Sequence, residues 1–126
     1  MFSTLFLVAL GGAIGACLRF LSGAAMLRLT GPADFPLAIL SVNVAGSFAM
    51  GIFVALAAQK GMTHWNPFVM TGVLGGFTTF SAFSLESVNL MERGDYAAAA
   101  LYVSLSVGLS IAALMLGLWL ARGVFL

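Results

Sequence analysis

Four long apolar segments, separated only by short polar connections, constrain this chain more than any other feature. They run from about Phe2 to Leu27, Phe35 to Ala58, Pro67 to Leu90 and Tyr96 to Ala121. Each exceeds the about 20 residues a helix needs to cross the hydrocarbon core of a bilayer. The connections carry helix-ending and helix-starting residues. Thr30-Gly31-Pro32-Ala33-Asp34-Phe35-Pro36 breaks the first pair, and Gln59-Lys60-Gly61 ends the second segment. Asn66-Pro67 reads as a cap followed by a helix-starting proline, and Asp95 as the N-cap of the last helix. Trp65, Tyr96 and Trp119 fall near span ends, where membrane-interface aromatics belong. The predicted fold is an all-α membrane protein in which residues 1–126 form a single four-helix transmembrane domain.

Composition leaves no room for a separate water-soluble domain. Apolar residues make up 62% of the 126, and charged residues only 7%, against about a quarter in soluble domains. A net charge of +1 without a basic cluster offers nothing to nucleic acid. The first segment has no Lys or Arg ahead of it and is too long for the apolar region of a signal peptide. Ile14-Gly15-Ala16-Cys17 faintly resembles a lipoprotein cleavage site, but the basic flank is missing. The single cysteine, Cys17, allows no internal disulfide and reads as a small residue in a packed helix.

Basic residues are nearly balanced across the expected membrane. Lys60 and Arg122 fall on the side of the N-terminus, Arg28 and Arg93 on the other, with Arg19 slightly inside the first helix. Near-equality weakens the positive-inside signal. Two readings stay open: insertion in both orientations, which suits an antiparallel dimer, or simply a weak orienting signal.

Small residues recur one turn apart at Gly11/Gly15, Gly12/Ala16, Ser47/Gly51 and Gly72/Gly76. Such pairs let membrane helices approach closely. Four helices enclose little space, so a transport path calls for a second subunit.

Polar residues inside a membrane are costly unless used. The stretch Gly75-Gly76-Phe77-Thr78-Thr79-Phe80-Ser81-Ala82-Phe83 puts two glycines, three hydroxyls and three phenylalanines inside the third span. Its glycines and threonines are expected to weaken the helix and release carbonyls able to bind small cations. Irregular backbone is tolerated at membrane depth only where protein or a water-filled path covers it. Phe80 and Phe83, three apart, share a face. They suit either a packed core or ring edges, which carry partial positive charge, turned towards an anion. Asn43, one turn before Ser47, suits an interhelical clasp as well as a ligand role. Tyr102, Ser106 and Ser110 form a hydroxyl stripe on the fourth span, ended by Leu114, while Ser104 falls on another face. Arg19 can snorkel or draw anions into a vestibule, and Glu86 can face water or pair with Arg19. With one histidine, His64, in a loop and no nucleophile or phosphate-binding motif, enzyme chemistry has no support.

Three segments carry a family resemblance. They are Gly11-Gly12-Ala13-Ile14-Gly15-Ala16-Cys17-Leu18-Arg19-Phe20, Val42-Asn43-Val44-Ala45-Gly46-Ser47-Phe48, and Thr71-Gly72 with Gly75 through Glu86. The chain resembles the CrcB/Fluc fluoride channel family along its whole length, most specifically in the third segment. That resemblance implies a dual-topology antiparallel homodimer with two narrow fluoride pores in a bacterial plasma (inner) membrane, passively exporting fluoride and so conferring fluoride resistance. It implies a structural, non-transported sodium ion at the dimer centre, held by the backbone carbonyls of Gly75 and Thr78. It implies a pore lined by Asn43, Phe80, Phe83, Tyr102, Ser106 and Ser110, with Arg19 at a vestibule. Leu114 stands where the family often has a hydroxyl, and Ala82 where it often has threonine.

Small, strongly hydrated fluoride needs closely placed donors to replace its water, and a narrow pore would reject larger chloride. A proton-coupled small multidrug transporter also has four spans and antiparallel dimers, but needs an acid deep in the first helix. Residues 2–27 contain no Asp or Glu. A non-transporting assembly subunit, in which Asn43 and the serines only join helices, is the remaining contrast.

Overall fold

The computed structural model describes residues 1–125, and side chains as far as residue 123. Helix α1 spans Phe2–Thr30 and α2 spans Leu37–Lys60. A short 3-10 turn, Thr63–Trp65, leads into a π-helix, Pro67–Leu74, which continues as the α-helical turn α3, Gly75–Phe77. After an interruption come α4, Phe80–Glu92, and α5, Tyr96–Phe125. Four of these stretches are long and apolar enough to cross a membrane: Phe2–Thr30, Leu37–Lys60, Thr63–Glu92 and Tyr96–Gly123. The chain is thus an all-helical, multi-pass membrane protein with a bent third span.

The helix ends follow from local chemistry. Gly61 closes α2 in the left-handed region at φ 65°, and Gly94 does the same after α4 at φ 78°. Met62 N–H reaches back to the Ala57 carbonyl and Asp95 N–H to that of Leu90, each five residues earlier. A glycine takes this conformation without the steric cost of a Cβ. Asp95 Oδ1 accepts from Ala98 N–H at 3.3 Å, the cap expected for the last helix. Asn66 differs from its expected part. It has helical dihedrals and caps nothing, while Pro67 does occupy the first helical position.

Two helix pairs make up the subunit, and each is joined where backbones touch. A Cβ on Gly72 would lie 2.9 Å from Gly11 Cα, and one on Gly76 would lie 2.6 Å from the Gly12 carbonyl oxygen. Gly15 faces the Val73 carbonyl just as closely. The register rises together along both elements, so α1 and the start of the third span run in the same direction. In the second pair, Gly51 meets Leu114 and Gly117 meets Phe48. Lipid supplies no hydrophobic drive between helices, so close van der Waals contact takes over that role. Between the pairs, Leu40, Phe83, Leu90, Ala99 and Tyr102 form the buried core. At one end Arg93 donates to the Asp34 carbonyl at 2.7 Å, joining the α1–α2 loop to the α4–α5 turn.

Candidate functional site

The third span breaks at Thr78 and Thr79, whose backbones are extended (φ −84°, ψ 159° and φ −150°, ψ 123°). The break falls on the two threonines expected to weaken the helix, and not on the two glycines expected to do so with them. Gly75 has ordinary helical dihedrals (φ −63°, ψ −38°), and Gly76 belongs to the same helical turn, pressed against α1. Close packing, not helix weakening, is what the glycine at 76 serves.

A broken helix exposes carbonyls on one side and amides on the other, and each needs a partner. Asn43, on α2, serves both backbone groups of one residue at the break. Its Nδ2 donates to the Thr79 carbonyl at 3.0 Å, and its Oδ1 accepts from Thr79 N–H at 2.8 Å. Thr79 Oγ1 accepts from Ala82 N–H at 3.1 Å and so caps α4. Thr78 turns its hydroxyl back to the Leu74 carbonyl at 2.9 Å. Arg19 Nε donates to the Gly76 carbonyl at 3.2 Å. Glu86 is therefore not what occupies that nitrogen, and of its two expected settings the pairing with Arg19 is not the one adopted.

These bonds redirect the amides that a continuous helix would use elsewhere. Thr79 N–H would ordinarily serve the Gly75 carbonyl but is bound to Asn43. Ala82 N–H would serve the Thr78 carbonyl but is bound to Thr79 Oγ1. Both carbonyls expected to hold a cation thus lose their ordinary helical donor. Gly75 is exposed on the surface of the subunit, and Thr78 is half-buried.

Beside the break runs a groove of about 350 Å³ between α2, α5 and the start of α4. Asn43, Ser47, Phe80, Phe83, Ser106 and Ser110 line it, and Leu114 contributes an apolar wall. Phe80 is 78% exposed, whereas Phe83 is 9% exposed; their ring centroids are 5.4 Å apart. Tyr102, fully buried, packs on Phe83 at 5.4 Å and meets Phe35 edge-on at 5.6 Å. It therefore stands behind the groove wall. The expected hydroxyl stripe enters the groove only through Ser106 and Ser110, and Ser104 is exposed elsewhere. The Tyr102 and Ser106 hydroxyls are neighbours. Neither has hydrogen-bonding geometry with a partner among the described residues, and both are buried. A buried hydroxyl left unpaired is costly, and two neighbouring hydroxyls can serve each other by a small rotation.

Residues 6–118 match the family described as CrcB-like protein, Camphor Resistance (CrcB). The chain belongs to the CrcB family. A Roseobacter denitrificans relative named "Fluoride-specific ion channel FluC" is 67% identical over 124 residues, covering 98% of each chain. Relatives with the same name from a Ruegeria species and from Cereibacter sphaeroides are 65% and 57% identical, again over 98% of each chain. Within this CrcB chain, what sequence reasoning missed is the part Thr79 plays as cap of α4 and partner of Asn43. Its signal was present, since a threonine opening a helical run is a common N-cap. The Arg19 bond to Gly76 left no such trace, because it depends on how two helices are placed.

Proposed function

We propose that this chain is a fluoride-specific channel that lets fluoride leave the cytoplasm passively. What selects fluoride over other ions is one observation: near full-length identity to relatives bearing that name. The geometry supports a path for a small anion. Ser106 offers a buried hydroxyl with no partner, and Ser110 continues the line. Asn43 uses one Nδ2 hydrogen on Thr79 and keeps the other for a ligand. Phe80 and Phe83 supply ring edges, whose partial positive charge attracts an anion without trapping it. Tyr102 would donate from behind Phe83, at the end of the same line. Donors fixed this closely replace the water that fluoride gives up, while larger chloride fits them poorly.

The working unit in this reading is a homodimer. One subunit leaves Phe80 exposed and its groove open along one side. A second copy would close it, and the near-tie of basic residues suits antiparallel insertion in both orientations. A sodium ion fits the donor chemistry of the break: the Gly75 and Thr78 carbonyls have lost their helical donors, and hard cations favour such oxygens. Bound there from both subunits, sodium would neutralise carbonyl dipoles at the dimer centre and stay in place. The bacterial sources of the relatives support a plasma (inner) membrane setting.

Expression in a bacterial strain lacking fluoride export tests this reading. Growth in millimolar fluoride is the expected result for the wild type and not for Phe80→Ile. Equal sensitivity with and without a membrane-inserted wild-type chain would overturn it.

A further inference from the structure

The break in the third span is held from two sides by different chemistry. Asn43 serves Thr79, downstream of the turn, and Arg19 serves Gly76, upstream of it. In a continuous helix the Gly76 carbonyl would accept from the amide of Phe80. Here Phe80 lies past two extended residues, at the first position of α4. The Nε–H of Arg19 therefore stands in for a missing backbone donor.

We propose that Arg19 is a positioning residue: its guanidinium caps the C-terminal end of the upstream half of the third span through the Gly76 carbonyl, and thereby fixes the turn that opens onto the groove. Three observations carry this. Arg19 is half-buried rather than extended to the surface. Its donor reaches a carbonyl 57 residues away in sequence, at 3.2 Å. The two helices also touch backbone to backbone at Gly15, one turn before Arg19, and at Gly76 itself, so the guanidinium has a rigid mount. Electrostatics agree, because a helix C-terminus carries partial negative charge and favours a cation. Arginine suits the task better than lysine, since its planar fork offers a fixed Nε–H and is less strongly hydrated.

This assignment differs in kind from an anion-attracting charge in a vestibule, and the difference is measurable. It rests on the channel reading only for the flux arm of the test. Gly76-Phe77 is the only Gly-Phe peptide in the chain. Carbonyl-¹³C glycine with ¹⁵N phenylalanine therefore gives Gly76 a unique carbonyl resonance in membranes. In Arg19→Met that resonance should move upfield as the hydrogen bond is lost, and Arg19→Lys should not restore it. Fluoride flux should fall about tenfold or more in both variants, as expected for losing a charge-assisted bond. The deficit should be equal at about 0.01 M and about 1 M impermeant salt, although the Debye length falls from about 30 Å to about 3 Å.

A deficit that vanishes at high salt, full rescue by lysine, or an unmoved Gly76 resonance would each overturn the proposal. If neither variant reconstitutes, the wild type decides. Dipolar coupling between ¹⁵Nε-labelled arginine and the Gly76 carbonyl carbon is expected, and its absence overturns the tether. A wild-type protein that passes no fluoride would sink the channel reading, while the spectroscopic arm would still decide the position of Arg19.

Discussion

The two halves of the third span are held in opposite ways. Upstream of Thr78, the π-helix and α3 lie backbone to backbone against α1, with glycine at 11, 15, 72 and 76 in the contacts. Downstream, α4 stands away from its neighbours and meets them through large side chains. Phe83 reaches Tyr102, and Phe80 is left exposed. The first half is an anchor and the second a groove wall. A path for an ion needs both: a fixed edge, and beside it a surface that packing has not filled.

The largest expected effect breaks the anchor. A methyl group on Gly15 would collide with the Val73 carbonyl, and backbone cannot yield as a side-chain tip can. Gly15→Ala should destabilise the fold by about 3 kcal/mol or more, beyond the usual cost of overpacking. Thermal unfolding in detergent or the yield of monodisperse protein measures it. Next comes the clasp. Asn43→Ala removes both bonds to Thr79 and should cost about 2 to 3 kcal/mol, with fluoride flux falling alongside. A variant with normal flux and stability would show the break to be held by something other than this clasp.

How much of this was legible in the sequence depends on what each residue answers to. The four spans were, because bilayer thickness sets their length directly. The interruption was legible in part, since Thr78 and Thr79 were among the residues expected to weaken the helix. The glycine at 76 proved to be a packing residue, and the turn fell on Thr78 and Thr79, where acceptors from α2 and from a threonine side chain take up the freed amides. The π-helix was not legible. Its bonds run five residues back, as from Gly75 N–H to the Met70 carbonyl, and no residue preference announces that choice. Spacing put Phe80 and Phe83 on one face, and their rings are neighbours, but Tyr102 lies behind Phe83 because α5 packs on α4 at that level. Asn43 left two roles open in the sequence; the geometry makes it a clasp with one hydrogen to spare.

The groove wall is tested by smaller changes. Phe80→Ile or Phe83→Ile should cut fluoride flux about tenfold or more, equivalent to roughly 1.4 kcal/mol, by removing ring edges. Phe80→Ile should elute like the wild type on size exclusion, since Phe80 lies outside the buried core of the subunit. Thr79→Ala should cost about 1 kcal/mol through the lost cap on α4, read as a lower melting temperature. The control is Gly23→Ala, where a Cβ meets nothing within 4 Å. It should change stability by no more than about 0.5 kcal/mol. A large effect there would mean that glycine contacts are not what distinguishes the anchor.

The most direct measurement is ion efflux from liposomes holding only the purified chain, with fluoride and chloride electrodes read in parallel in sodium-containing buffer. Fast fluoride release with chloride retained, and without a proton gradient, is the predicted result. Retention of fluoride by vesicles shown to contain folded protein would contradict the account, and Asn43, Phe80 and Phe83 would then be residues that only join helices.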